Sequence, residues 1–369
     1  ETKFPPKSAF YDLLNLAPEF ESGLGIVANF NCVTGLASQP AVFAGNYLLN
    51  CGPDVPHNET SIAVNPSDSN HVAGAFHTYA LVISGGRLRT RVFSTPSVTI
   101  DGGTTWTHVI PPVTPFQFTG DPAVAFNRQG RIYLASIADH EGQGAGGYTA
   151  PSVVVQYSDN GGTNWTNPIV VAAGRASVTV GQGNGPLVFQ DKEYIAVDSF
   201  ADSPYVNRAY VTWTSFQEFF QGVKPSARSP ITFSSSNNGT AWGSPKEISG
   251  FSSSCSAALF GSPNECDLNQ FSSPAVAPNG RVYVGFENFN TLAENQYLVV
   301  SSSNGGSSWS GPVKVDAIHD INFPQSQGRD TVTGCAFRVA APGNVAMDPG
   351  DSTGNTVYAV WADNRNGNA

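Results

Sequence analysis

Short apolar runs recur in pairs along the chain, separated by Gly-, Asn- and Ser-rich turns. The first members are Glu59-Thr-Ser-Ile-Ala-Val64, Asp121-Pro-Ala-Val-Ala-Phe126, Glu193-Tyr-Ile-Ala-Val197, Ser273-Pro-Ala-Val-Ala277 and Asn344-Val-Ala-Met347. A polar turn leads from each to a second run: His71-Val-Ala-Gly-Ala-Phe76, Arg131-Ile-Tyr-Leu-Ala135, Ala209-Tyr-Val-Thr-Trp213, Arg281-Val-Tyr-Val-Gly-Phe286 and Thr356-Val-Tyr-Ala-Val-Trp361. Such runs, rich in β-branched and aromatic residues and bounded by turn formers, predict strands. A third strand is predicted at Ser152-Val-Val-Val-Gln-Tyr157 and Gln296-Tyr-Leu-Val-Val-Ser301, and a fourth at Ile169-Val-Val171 and Val313-Lys-Val315. Small side chains in the first strand suit the crowded axis of a radial array, and larger ones in the second suit packing between neighbouring sheets.

A second repeat lies between the third and fourth strands. Its copies are Thr99-Ile-Asp101-Gly-Gly103-Thr-Thr105-Trp106, Ser158-Asp-Asn160-Gly-Gly162-Thr-Asn164-Trp165, Ser235-Ser-Asn237-Asn-Gly239-Thr-Ala241-Trp242 and Ser302-Ser-Asn304-Gly-Gly306-Ser-Ser308-Trp309. The Asp or Asn side chain caps the turn, Gly supplies positive φ, the hydroxyl bonds the backbone and Trp packs beneath. Asp101, Trp106, Asn160, Trp165, Asn237, Trp242, Asn304 and Trp309 are therefore assigned a structural role. Four antiparallel strands per period predict an all-β fold of propeller blades.

This turn pattern is the Asp box, or BNR repeat, and over about residues 57 to 361 the chain resembles the sialidase-like β-propeller superfamily. The resemblance implies six blades of four strands, whereas about four and a half are visible, the fifth stopping after Trp361. Two expectations follow: a longer parent protein, or ring closure by strands such as Gly23-Leu-Gly-Ile-Val-Ala28 and Ala41-Val-Phe-Ala44. The organisation expected is an N-terminal arm, 1–55, and a propeller, 56–369, incomplete at its C-terminal end.

Charge narrows the partners. With 18 Lys and Arg against 28 Asp and Glu, a net charge of −10 and no basic run, the chain offers nucleic acid no organised counter-charge. It has no apolar stretch of roughly 18 residues, so membrane insertion is not expected. Five cysteines, Cys32, Cys51, Cys255, Cys266 and Cys335, show no zinc-ligand spacing, and neither metal nor cofactor is expected. Short local loops favour the pairs Cys32 with Cys51 and Cys255 with Cys266, although spacing alone does not fix connectivity. Sequons at Asn58, Asn164 and Asn238 are compatible with a secreted or cell-surface protein.

Antiparallel topology places the repeated turns on one face of the blades and the binding loops on the other. Glu59, Asp121 and Glu193, at the entry of first strands, ring the channel mouth, with Asp139, Glu141, Glu287, Asp330 and Asp363 in loops above. A carboxylate pair there can act as general acid and base on a glycosidic bond, and Glu59, Asp121 and Asp330 are the catalytic candidates. Arg329, Arg338, Arg365 and Tyr148 are the substrate-binding candidates. Asp139-His140-Glu141 and Asp316 with His319 and Asp320 are weaker cation candidates, and Phe216, Phe219 and Phe220 form an aromatic loop. The resemblance implies a Tyr nucleophile helped by Glu, an Asp acid/base and three arginines on a substrate carboxylate. The family's Phe/Tyr-Arg-Ile-Pro segment has no counterpart here, since Phe4-Pro-Pro6 lacks the arginine, so no catalytic role is carried over. The function expected is a secreted propeller that binds or hydrolyses extracellular glycans. The alternatives are a non-catalytic binding propeller for protein or polysaccharide, and a surface or filament component that self-associates through open blade edges.

Overall fold

The computed structural model describes residues 30–33, 57–84, 87–140, 150–175, 187–221, 224–257, 262–291, 295–319, 325–326, 329–330 and 342–366. Every regular element among them is a β-strand. Blade I comprises Ser61–Asn65, Asp68–Ser84, Arg87–Thr99 and Thr105–His108, and blade II comprises Phe118–Phe126, Ile132–Asp139, Ser152–Ser158 and Ile169–Ala172. Blade III is Leu187–Val197, Ala209–Gln221, Ile231–Ser236 and Lys246–Glu247, with Lys224–Arg228 paired to the extended second strand. Blade IV is Asn269–Val276, Val282–Asn288, Asn295–Ser302 and Val313–Ile318, and blade V contributes the pair Asn344–Met347 and Val357–Val360. Each strand pairs antiparallel with its predecessor, and the first strands of consecutive blades pack side by side. That arrangement is a β-propeller.

The cores lie between blades. Ala73, Val98 and Trp165 join Leu134 between blades I and II, while Tyr133, Val155 and Trp213 pack between II and III. Tyr210, Phe233 and Phe286 do the same between III and IV, and Tyr297 and Val345 between IV and V. A second strand inside the array is covered on both faces, so Val282–Asn288 is buried along its whole length instead of alternating. The near-continuous apolar runs of the sequence reflect this double burial.

The repeated turns share one hydrogen-bond scheme. Gly103, Gly162 and Gly306 N–H donate to the hydroxyls of Thr99, Ser158 and Ser302 at 2.9, 3.0 and 2.9 Å. Thr105, Asn164 and Ser308 N–H each donate to Oδ1 of Asp101, Asn160 and Asn304 at 2.9 Å. Hydrogen bonds from Thr105 and Thr99 lower the Asp101 pKa to about 2, so its charge is fixed by the turn. At Gly306, with φ of 86°, an added Cβ would stand 2.2 Å from Phe233 Cζ, which excludes any larger residue. In the third copy the capping pair is Ser236 and Asn238, one residue beyond the position expected from Asn237. That turn is one residue shorter ahead of Trp242, and Asn237 Oδ1 instead accepts a hydrogen bond from Arg208 Nε at 2.7 Å. Trp106 and Trp165 are buried, and Trp309 meets Phe233 edge-on at 5.0 Å.

Phe30–Val33, within the arm, pairs with Thr105–His108 and extends blade I outward to five strands. The two arm segments expected to close the ring lie outside the described residues. Cys255 and Cys266 form a disulfide with both residues fully buried. The strand carrying Cys32 is described but its side chain is not, and Cys51 and Cys335 lie outside the described residues. Converting Cys255 and Cys266 to alanine removes a closed loop spanning 11 positions, and urea denaturation is expected to show a stability loss of about 2–3 kcal/mol.

Candidate functional site

The first strands of blades I to IV carry the same irregularity near their start. In blades II, III and IV a β-bulge sets two residues against one: Asp121 and Pro122, Lys192 and Glu193, Phe271 and Ser272. In blade I the His77 N–H bonds the Asn58 carbonyl and Ser61 pairs with Ala75, so Glu59 and Thr60 oppose Phe76 in the same way. The leading bulge residue is left-handed each time, with φ of 55° at Glu59, 52° at Asp121, 51° at Lys192 and 58° at Phe271. Six non-glycine residues among those described have positive φ, and four of them occupy this one repeated position. A left-handed Glu, Asp, Lys or Phe costs about 1 kcal/mol or more where glycine would cost little. A bulge redirects side chains, and these bulges converge on the axis.

They line a cavity of about 350 Å³ together with Tyr194, Ser273 and residues Pro342, Gly343 and Asn344 of blade V. Because strands run antiparallel, this mouth lies at the opposite end of each blade from the capped turns. The volume falls within the range of small-molecule sites.

Its electrostatics centre on Lys192. The ammonium is hydrogen-bonded to Glu59 Oε2 and lies 3.0 Å from Asp121 Oδ2, tying blades I, II and III together. Burial opposes the Lys192 charge, but Asp121 and Glu59 outweigh it and raise its pKa above the ordinary lysine value. Burial likewise works to raise the Asp121 pKa, and His77 and Lys192 overcome it and hold the carboxyl below its usual range. The Asp121 N–H donates to His77 Nε2 at 2.5 Å, and His77 Nδ1 lies 2.9 Å from Asn58 Oδ1. His77 Nε2 also stands 3.3 Å from Asp121 Oδ1.

Two further carboxyls behave oppositely. Glu193 is 2 % exposed, both carboxyl oxygens are buried without a hydrogen-bond partner in another residue, and the residue belongs to the cavity wall. Burial, reinforced by the charges of Asp121 and Asp191, pushes its pKa well above the ordinary value. Asp191, just ahead of the bulge, is raised to about 6 by burial and by Asp121, although Gln270 Nε2 donates to it at 3.2 Å. The site thus pairs a carboxyl whose pKa is lowered with one whose pKa is raised, the divergence that acid/base chemistry uses.

Of the sequence candidates, Glu59 and Asp121 meet here through Lys192. Arg365 does not reach the cavity: its guanidinium forks onto Asp363, with Nε 2.8 Å from Oδ1, and bonds Asp316 at 2.9 Å. Arg329 and Asp330 form a two-residue strand paired with Gln325–Ser326, but their side chains, like Tyr148, Glu141 and Arg338 entirely, lie outside the described residues. Asp139 and Glu287 are buried at the ends of second strands, where Asp139 accepts the His140 N–H and Glu287 a bond from Asn295. Asp316 is engaged by Arg365, and the described residues contain no cluster of three or more potential metal-ligating side chains. Phe216 packs edge-on against Phe189 at 6.2 Å, and the side chains of Phe219 and Phe220 lie outside the described residues. Lys192 escapes a reading that aligns Glu193 with Glu59. Counting back four residues from the repeated Ala63, Ala125, Ala196 and Ala275 places Glu59, Asp121, Lys192 and Phe271 in register and would find it.

No family model matches the chain, and no curated protein matches it. Among solved structures, a Hadza microbial sialidase, Hz136, shows 13% identity and a TM-score of 0.46, with 79% of this chain aligned. The chain spans 50% of that sialidase's length. An α-L-arabinanase from Penicillium chrysogenum, solved with arabinobiose, shows 12% identity and a TM-score of 0.47, covering 81% of this chain and 74% of its own. A GH93 α-L-arabinofuranosidase from Fusarium graminearum, also with arabinobiose, shows 11% identity and a TM-score of 0.49, covering 82% and 74%.

Proposed function

We propose that the axial cavity is a carbohydrate site at which a glycosidic bond is cleaved, with Glu193 as general acid and Asp121 as its ionised partner. The observation that carries this reading is Glu193, an acid buried at the cavity wall whose carboxyl oxygens have no hydrogen-bond partner in another residue. A buried carboxyl without a partner is costly, and a ligand oxygen at this position would satisfy it. Protonation of a leaving oxygen is helped by an acid with a raised pKa, and burial shifts Glu193 in that direction. Asp121 supplies negative charge opposite the developing positive charge of the sugar, or takes a proton from water. Tyr194 and Phe271 offer aromatic faces to a sugar ring. Export fits the buried disulfide and the sequons.

The engagement of both Glu59 and Asp121 by Lys192 favours a second reading, in which the cavity binds glycan without turning it over. Incubation with a panel of aryl glycosides and polysaccharides, read by reducing-end release, separates the two. Cleavage that weakens as pH rises into the range where Glu193 ionises is expected. Binding without cleavage would transfer the site to the second reading, and the absence of both would end the carbohydrate proposal.

A further inference from the structure

We infer that the sugar admitted at the axis carries no negative charge, and that the lining discriminates against sialic acids and uronates. This rests on the carbohydrate reading of the same cavity and adds to it a substrate class.

Three acidic residues, Glu59, Asp121 and Glu193, line the cavity, and Lys192 is the cation among its described lining residues. That cation is already committed, hydrogen-bonded to Glu59 and 3.0 Å from Asp121. No arginine stands among the described lining residues to grip a ligand carboxylate in a fork. An anionic sugar would therefore be desolvated beside the Glu59 and Asp121 carboxyls with no free counter-charge among the described lining residues, which costs far more than the same burial of a neutral ring. Asp191, behind the bulge, adds further negative charge above about pH 6.

What the lining offers instead suits hydroxyl groups, which donate and accept with equal ease: Ser273 beside Asn344, and the aromatic side chains of Tyr194 and Phe271.

Matched ligand pairs test this on the intact protein by calorimetric titration or, where cleavage occurs, by kcat/KM. Suitable pairs are lactose with sialyllactose, and galactan with galacturonan oligomers. The neutral member of at least one pair is expected to bind, with its anionic counterpart weaker by at least about tenfold. An anionic sugar that binds as well as its neutral counterpart would overturn the substrate class and leave the carbohydrate reading standing. Failure of every sugar would overturn the reading and the inference together. Asp191→Asn, which removes a negative charge from behind the cavity, is expected to narrow the neutral-to-anionic gap severalfold. An unchanged gap would refute its electrostatic origin.

Discussion

Glu193→Gln is expected to lower kcat by about 10²–10⁴-fold while making the protein more resistant to thermal unfolding at pH 8. The two effects have one cause. The carboxyl sits in a site that gives it no hydrogen-bond partner in another residue, so ionisation there is expensive, and its folded pKa stands well above that of the unfolded chain. Between those two values the folded state holds a proton that the unfolded state has lost. The stability associated with the neutral acid is therefore full below the ordinary carboxylate pKa and is lost as pH rises through the folded one. Glutamine keeps the shape and cannot ionise, so its advantage over the parent should grow from pH 5 to pH 8. Kinetics and melting curves on the same two proteins decide the matter. Unchanged turnover would remove Glu193 from the chemistry, and a stability difference that does not change with pH would contradict its buried titration.

Lys192→Met is expected to destabilise the fold by about 3–5 kcal/mol near neutral pH. Methionine keeps an unbranched apolar stem and retains the same left-handed backbone requirement, so the change removes chiefly the charge. Glu59 and Asp121 then face each other at the axis without a counter-ion, and Asp191 stands close by. Asp121 also loses a group that holds its pKa down, so protonation at mildly acidic pH relieves the repulsion and the deficit should shrink toward pH 4. Adding Glu59→Gln to Lys192→Met should recover part of the loss, because the two side chains are coupled and their effects are not additive. Urea denaturation at both pH values measures this. Equal losses at pH 7 and pH 4 would show that packing, not charge, is what Lys192 provides.

The fold is legible in the sequence because strand pairs and capped turns repeat in phase, and both depend on local chemistry. The apolar run at Ser273-Pro-Ala-Val-Ala277 and the Ser-x-Asn-x-Gly spacing at Ser302 each require only neighbouring residues. The site is less legible because it is assembled at interruptions of that periodicity. A bulge inserts one residue, so alternation no longer reports which side chain faces the axis, and Lys192 and Glu193 exchange apparent roles. Glu59 and Asp121 were readable because acidic residues at the head of two equivalent strands stand out. Arg365 was misleading for a related reason: nothing in its sequence context reveals that Asp363, two residues away, and Asp316 already occupy its guanidinium. The short third turn, where Asn238 replaces Asn237, shows the same sensitivity to a one-residue change.

The four equivalent bulges have a consequence for how this scaffold can diversify. The backbone takes nearly the same left-handed conformation whether the side chain is an acid, a base or an aromatic ring, with φ between 51° and 58° throughout. Chain geometry at these points is therefore indifferent to chemistry, unlike that of a helix or a regular strand, where the side chain and the conformation are chosen together. Each bulge is a socket: its occupant can be exchanged without renegotiating the blade that carries it. New ligand preferences can then arise by single substitutions at the axis, while the apolar seams between blades remain as they are.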